Sequence, residues 1–345
     1  MYNIINLQKK IVPELTELLV TRYQILLQVS HEHPIGRRAL STKVGLSERI
    51  LRAQVDFLKK SGLLEFSPAG MTVTEEGMHI LKELEEFVHK LQGLSFLEKS
   101  LGEFLGVKRV VILPGDSDED EVIKQELGRT CAGILSELLD DDLEHIVAVS
   151  GGSTMAAMAA NIFGSRPNTV VVPARGGLGD HVETQANTIA TVLAQRLGAS
   201  YRQLYIPDSV SSDILNSLLK ENAGVRAVVD IIKRADILVH GIGQAAVMAK
   251  HRKMSPELMD QLINDGAVGE AFGQYCARDG RQVYMTNNAG VMLQDLDNIK
   301  TIIGVAGGKS KAEAILSVIR ASRQDILVTD EGAANEIMLL VNENA

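Results

Sequence analysis

The chain has 345 residues and a formal net charge of −9, enough length for two domains of about 100–200 residues, each with its own core. Hydrophobic residues make up 45% and charged residues 23%, which excludes disorder as the main state. No apolar run approaches the roughly 18 residues of a membrane-crossing helix, and the start of the chain lacks a signal-type apolar segment. A soluble cytoplasmic protein without a membrane partner is expected. Cys131 and Cys276 are the 2 cysteines, too few for a disulfide framework or a zinc site, so no metal or cofactor is expected.

Charge is unevenly spread. Residues 1–92 carry 12 Lys and Arg against 11 Asp and Glu, whereas the remainder carries 23 against 33. Within 22–60 the balance is 8 basic to 3 acidic. A basic island in an acidic chain is a local electrostatic footprint suited to double-stranded DNA.

The first 92 residues read as helical with one hairpin. Apolar positions from Leu15 to Val29 follow a helical period. His33-Pro34 interrupts it, because proline restricts the residue before it. A short helix from Gly36 to Val44 ends at Gly45. Ser47 then caps a second helix over Glu48–Lys60, with Ile50, Leu51, Val55 and Leu58 as its inward stripe. Two apolar runs around Ser67-Pro68-Ala69-Gly70 predict a hairpin, and a further helix covers Glu75–Gln92. Short helix, glycine turn, capped helix and hairpin is the order of a winged helix-turn-helix, whose second helix enters the major groove. Arg49 and Arg52 lie three apart on that helix and suit guanine edges. Arg37 and Arg38 on the preceding helix suit phosphates, as do Lys59 and Lys60 at the far end.

Residues 93–110 read as a helical connection, so the boundary falls near residue 92: a DNA-binding domain over 1–92 and an effector-binding and oligomerisation domain over 93–345. Beyond it, strands at Val110–Leu113, Ile146–Val149, Thr169–Pro173, Tyr201–Ile206, Ile237–His240, Ile302–Ala306 and Ile326–Thr329 alternate with helical stretches. This predicts an α/β domain with a Rossmann-like, mostly parallel sheet covered on both faces.

Four glycine-rich segments follow those strands. Gly151-Gly152-Ser153-Thr154 opens a helix, and free N–H groups at such a start favour an anion. It is no Walker A loop, since it lacks that lysine. Arg175 precedes Gly176-Gly177-Leu178-Gly179, where a guanidinium suits a phosphate. His240-Gly241-Ile242-Gly243 is the third, with His240 read as a structural hydrogen-bonding residue. Gly307-Gly308 is the fourth, followed by Lys309 and Lys311. A single glycine pair is usually only a tight turn. Four at the carboxyl ends of strands suit one phosphorylated metabolite.

Together VSGGST, PARGGLG, HGIG, AGGKSKAEAI and TDEGAA resemble the sugar-binding domain of the SorC family of bacterial transcription regulators. That fold is similar to the glucosamine-6-phosphate deaminase and ribose-5-phosphate isomerase group. PIGRRALS, GLSER, FLKKSGLL and MTVTEEG extend the likeness to nearly the whole chain and to a glycolytic branch of the family. The resemblance implies a repressor of an operon encoding glyceraldehyde-3-phosphate dehydrogenase, acting as a dimer or tetramer on operator DNA and released or modulated by fructose 1,6-bisphosphate. It also implies that Gly151, Gly152, Ser153 and Thr154 hold one phosphate with Lys311 nearby. Arg175 and the Gly176–Gly179 backbone would bind the sugar phosphate, with Gln185 reaching its hydroxyls. His251 or Arg252 would stand near the second phosphate, and Glu270 would accept from sugar hydroxyls.

The sequence departs from the enzymes at one point. The deaminases follow a similar GIG with an Asp-Gly-His used in catalysis, whereas Gln244-Ala245-Ala246 stands here. Acid–base isomerisation needs a titratable group within hydrogen-bond reach, so a regulator is expected rather than an enzyme. The alternative is a sugar-phosphate isomerase or deaminase with an appended helical domain.

Overall fold

A computed structural model describes residues 11–140, 143–177, 181–207, 210–287 and 289–342. The chain divides into two compact units, Met1–Phe96 and Leu97–Ala345.

In the first unit, α1 (Pro13–His31) precedes α2 (Arg37–Lys43) and α3 (Glu48–Lys60). The Ser47 side chain accepts from Ile50 N and so caps α3. Strands β1 (Leu64–Ser67) and β2 (Gly70–Val73) pair antiparallel, and α4 (Glu75–Gln92) follows. Ile35 and Met71 exchange two backbone hydrogen bonds, pinning the hairpin beside α2. Gly70 permits this approach: a Cβ there would stand 2.8 Å from the Ile35 carbonyl oxygen. Leu26, Leu40, Leu51, Val55, Leu58 and Met71 are buried together as the core. Ile50 corrects the sequence reading, because it is 44% exposed instead of joining that stripe. The inward arc of α3 is narrower than the apolar count implied.

Helix α5 (Leu94–Leu105), most of which belongs to the second unit, precedes β3 (Arg109–Leu113). A seven-stranded parallel sheet follows, built from β3, β4 (His145–Val149), β5 (Thr169–Pro173), β6 (Ser200–Tyr201), β7 (Ile237–Gly241), β12 (Thr301–Val305) and β13 (Ile326–Asp330). Its order is β3-β13-β12-β7-β4-β5-β6. Val147, Val149, Val239 and Val305 face a core formed with α6 (Glu121–Leu138), α7 (Ser153–Asn161) and α8 (Ala186–Leu197). Alternate residues Ala148, Leu238, Ile302 and Leu327 point the other way and are equally buried. Both faces are therefore covered, which is why these strands read as unbroken apolar runs. The Tyr201–Ile206 strand is a correction. Only Ser200 and Tyr201 pair, on the sheet edge, while Leu204 and Ile206 bury without strand geometry.

A second sheet has no counterpart in the sequence reading. Strands β8 (Gly243–Gln244), β9 (Ala267–Ala271), β10 (Gln274–Ala277) and β11 (Gln282–Met285) pair antiparallel in the order β11-β10-β9-β8. It packs with α11 (Ala245–His251), α12 (Pro256–Asn264) and α13 (Ala312–Ala321), while α9 (Ser212–Glu221), α10 (Ala223–Ile232) and α14 (Glu331–Asn342) complete the unit. Both cysteines are buried and free; burial pushes the thiol of Cys131 up to about 12 and that of Cys276 to about 11.

Candidate functional site

The four glycine-rich segments follow β12, β7, β4 and β5, which are consecutive neighbours in the sheet. The strand order reverses between β4 and β7, and open α/β sheets bind ligands at such a switch point. Hydrogen bonds cross it: Ser150 N donates to the Val239 carbonyl, and Gly241 N donates to Ser150 Oγ.

The loop after β4 presents the start of α7. Its N-cap is Gly152, at φ 122°, with no side-chain cap for the first-turn amides. Gly152 N donates to the Thr184 carbonyl, and a Cβ on Gly151 would come within 2.8 Å of that same oxygen. Ser153 and Thr154 open the helix beside it. Gln185, the N-cap of α8, brings its Oε1 against Gly177. Gly176 lies against the Ile206 carbonyl, leaving no room for a side chain. These loops therefore gather Gly151, Gly152, Gly176, Gly177 and Gln185. Leu178 and Gly179 lie outside the described residues.

Arg175 is not carried on an open loop. It is 6% exposed, and its Nη1 lies 3.3 Å from Glu270 Oε1. The same oxygen accepts from Arg252 Nη2 at 2.7 Å and from Gly273 N. Arg252 also donates to the Tyr275 hydroxyl. Glu270, on β9, thus gathers two guanidinium groups and a backbone amide. Phe272 and Gly273 form the β9–β10 turn with φ 56° and 81°. A bulky residue with positive φ stores strain. Here it aims the Gly273 amide at Glu270, and the Phe272 ring lies 4.5 Å from that of His240. Of the pair His251 and Arg252, His251 is exposed at the end of α11 and only Arg252 reaches Glu270.

The loop after β12 separates its two lysines. Lys309 is exposed and pairs with Glu336. Lys311 is half-buried, and its pKa is pushed below the usual lysine value, first by desolvation and then by Lys124. Asp118, Asp330 and Glu121 work in the opposite direction. The amides here are already used: Gly308 N donates to Asp330, Lys309 N to Asp116, and Ser310 N to Asp118. Lys311, rather than this backbone, is what the loop offers an anion. Gln244 Nε2 donates to the Ser310 carbonyl, tying β8 to the same turn.

His240 is fully buried between the Gly241 carbonyl and Gln324, and burial lowers its pKa. It is a neutral structural tie. Gln274 Nε2 and Thr286 Oγ1 are buried without a hydrogen-bond partner among the described residues. Thr286 Oγ1 and Arg175 Nη2 both crowd Gly273. Sequence reasoning missed Tyr275, Gln274 and Thr286, which belong to the unrecognised antiparallel sheet or its end. The Asp279-Gly280 turn was the available signal for it.

In the first unit Arg37, Arg38, Ser47, Arg49, Arg52, Lys59 and Lys60 are all exposed. The Phe66 ring on β1 lies under Arg37 and Lys59, at 5.2 and 4.6 Å. Arg37 approaches Asp56 at 3.6 Å. Arg49 and Arg52 have neither ion pair nor hydrogen-bond partner among the described residues, so both guanidinium groups are available.

Two family models match the chain: a sugar-binding domain over residues 89–339 and the CggR N-terminal DNA binding domain over residues 18–88. The central glycolytic genes regulator of Priestia megaterium is 42% identical over 340 residues, covering 98% of this chain and 99% of the relative. That of Bacillus subtilis is 41% identical with the same coverage. The crystal structure of a SorC family transcriptional regulator from Enterococcus faecalis superposes with a TM-score of 0.65 at 39% identity, covering 70% of this chain and 99% of that one. The chain belongs to the SorC family of DNA-binding transcription regulators with a sugar-binding domain, among the central glycolytic genes regulators.

Proposed function

We propose that this regulator represses a glycolytic operon that includes the gene for glyceraldehyde-3-phosphate dehydrogenase, and that fructose 1,6-bisphosphate binds its sugar-binding domain and releases operator DNA. The observation that carries the effector reading is the uncapped start of α7 at the switch point of the sheet. First-turn amides and the Ser153 and Thr154 hydroxyls suit one phosphate. The partly desolvated Lys311, on the loop after β12 at the same edge of the sheet, would supply the cation. Arg252 and Arg175 supply positive charge at the Glu270 end for the second phosphate. Gln185 and Glu270, with the unfilled Gln274 and Thr286 side chains, offer hydrogen bonds to sugar hydroxyls.

The three residues directly after Gly243 include no acid or histidine, and the histidine before it, His240, is locked in hydrogen bonds. The enzyme-like fold thus serves as a sensor. Palindromic operators favour a homodimer or tetramer. The test is a titration of promoter DNA with fructose 1,6-bisphosphate, fructose 6-phosphate and glucosamine 6-phosphate. Release by the bisphosphate at lower concentration than by either monophosphate supports the reading. Equal responses, or none, overturn it.

A further inference from the structure

Ile50 is a large aliphatic side chain on a helix whose other exposed positions are mostly charged, and it is 44% open to solvent. It sits in the first turn of α3, where its amide is held by the Ser47 cap. That turn is the part of a recognition helix that meets base edges. The C-terminal part of the helix is engaged within the domain. Arg22 bonds Gln54 and stacks over Phe57 at 3.6 Å, Arg37 approaches Asp56, and Lys59 stands over Phe66. Arg49, Ile50, Arg52 and Ala53 are exposed and make none of these contacts. Helical spacing sets Ile50 beside Ala53, and Arg49 beside both Arg52 and Ala53.

We propose that Ile50, backed by Ala53, reads the C5-methyl group of a thymine next to the guanine contacts of Arg49 and Arg52. Of the four bases only thymine presents a methyl in the major groove, and aliphatic side chains are its complement. A β-branched side chain has few rotamers in a helix, so isoleucine presents that surface at low entropic cost. Neighbouring helix positions are about 5–6 Å apart at Cβ and bases about 3.4 Å apart along a strand. The thymine therefore lies within about two steps of a guanine.

The experiment starts from duplexes that the full chain enriches from a random pool. Each thymine is replaced singly by deoxyuridine, which removes only the methyl. Affinity is then measured by fluorescence anisotropy at one salt concentration, for wild type, Ile50→Ala and Arg52→Ala. Wild type should lose about 3- to 5-fold at one thymine per half-site, the worth of one buried methyl. Ile50→Ala should be indifferent there, whereas Arg52→Ala keeps the sensitivity. Ile50 is outside the core, so the variant folds. Identical deoxyuridine profiles for wild type and Ile50→Ala would overturn the proposal. An unenriched pool would instead remove its premise of specific DNA binding.

Discussion

Glu270 is the residue on which the sugar-binding domain's charges converge, because one oxygen accepts from Arg175, Arg252 and Gly273. Breaking a buried ion pair from one side typically costs about 3–5 kcal/mol. Glu270→Ala is therefore expected to destabilise more than Arg175→Ala. The first removes the carboxylate that two buried guanidinium groups share, whereas the second leaves Glu270 paired with Arg252. Urea denaturation of both variants checks the order. Lys311 gives a second prediction. Desolvation first, then Lys124, lowers its pKa, so the folded state holds its proton less tightly than the unfolded chain. Its contribution to stability thus grows as pH rises through the lowered folded value towards the ordinary one. With the effector phosphate placed beside it as proposed, the proton would be restored, so binding should take up protons and weaken as pH rises through that window. Calorimetry in buffers of different ionisation heat, at a series of pH values below the ordinary lysine value, should detect this uptake. Lys311→Arg should abolish it. The sequence could name Lys309 and Lys311 as neighbours of a glycine pair. Which one turns inward depends on Glu336, brought back by α14 to hold Lys309 outside.

At the scale of elements, α3 tests the DNA-binding unit. Replacing its cap, Ser47→Ala, should cost about 1 kcal/mol, read as an earlier thermal transition. Arg52→Ala should weaken the best operator by about 1–3 kcal/mol, whereas Lys60→Ala should weaken all sequences alike. An anisotropy comparison of specific and random duplexes separates the two. The parallel strands were legible because burial on both faces leaves continuous apolar runs, as in Thr169–Pro173. The antiparallel sheet was not. Its β9, Ala267–Ala271, carries a glycine at its centre because α13 presses on it: a Cβ on Gly269 would stand 2.0 Å from Ser317 Oγ. Glycine placed for packing resembles glycine placed for a ligand loop. For the same reason Arg175 and Glu270 could each be singled out in the sequence but not seen as partners of one another. Their pairing depends on that sheet.

For the molecule as a whole, fructose 1,6-bisphosphate should raise the stability of the sugar-binding domain by mass action. A ligand at a hundred times its Kd adds about 2.7 kcal/mol if it binds only the folded state. Differential scanning calorimetry should show an upward shift with the bisphosphate and a smaller one with fructose 6-phosphate. Sedimentation on operator DNA should give an even number of chains, since an isologous dimer matches a palindromic site.

Cys131 and Cys276, with thiols buried and held protonated, offer thiol reagents no exposed thiolate. The thiolate is the reactive form, so glutathione disulfide should leave both side chains unmodified while the chain is folded. The same inertness lets a single cysteine placed at an exposed position such as Ala53 take a maleimide dye alone.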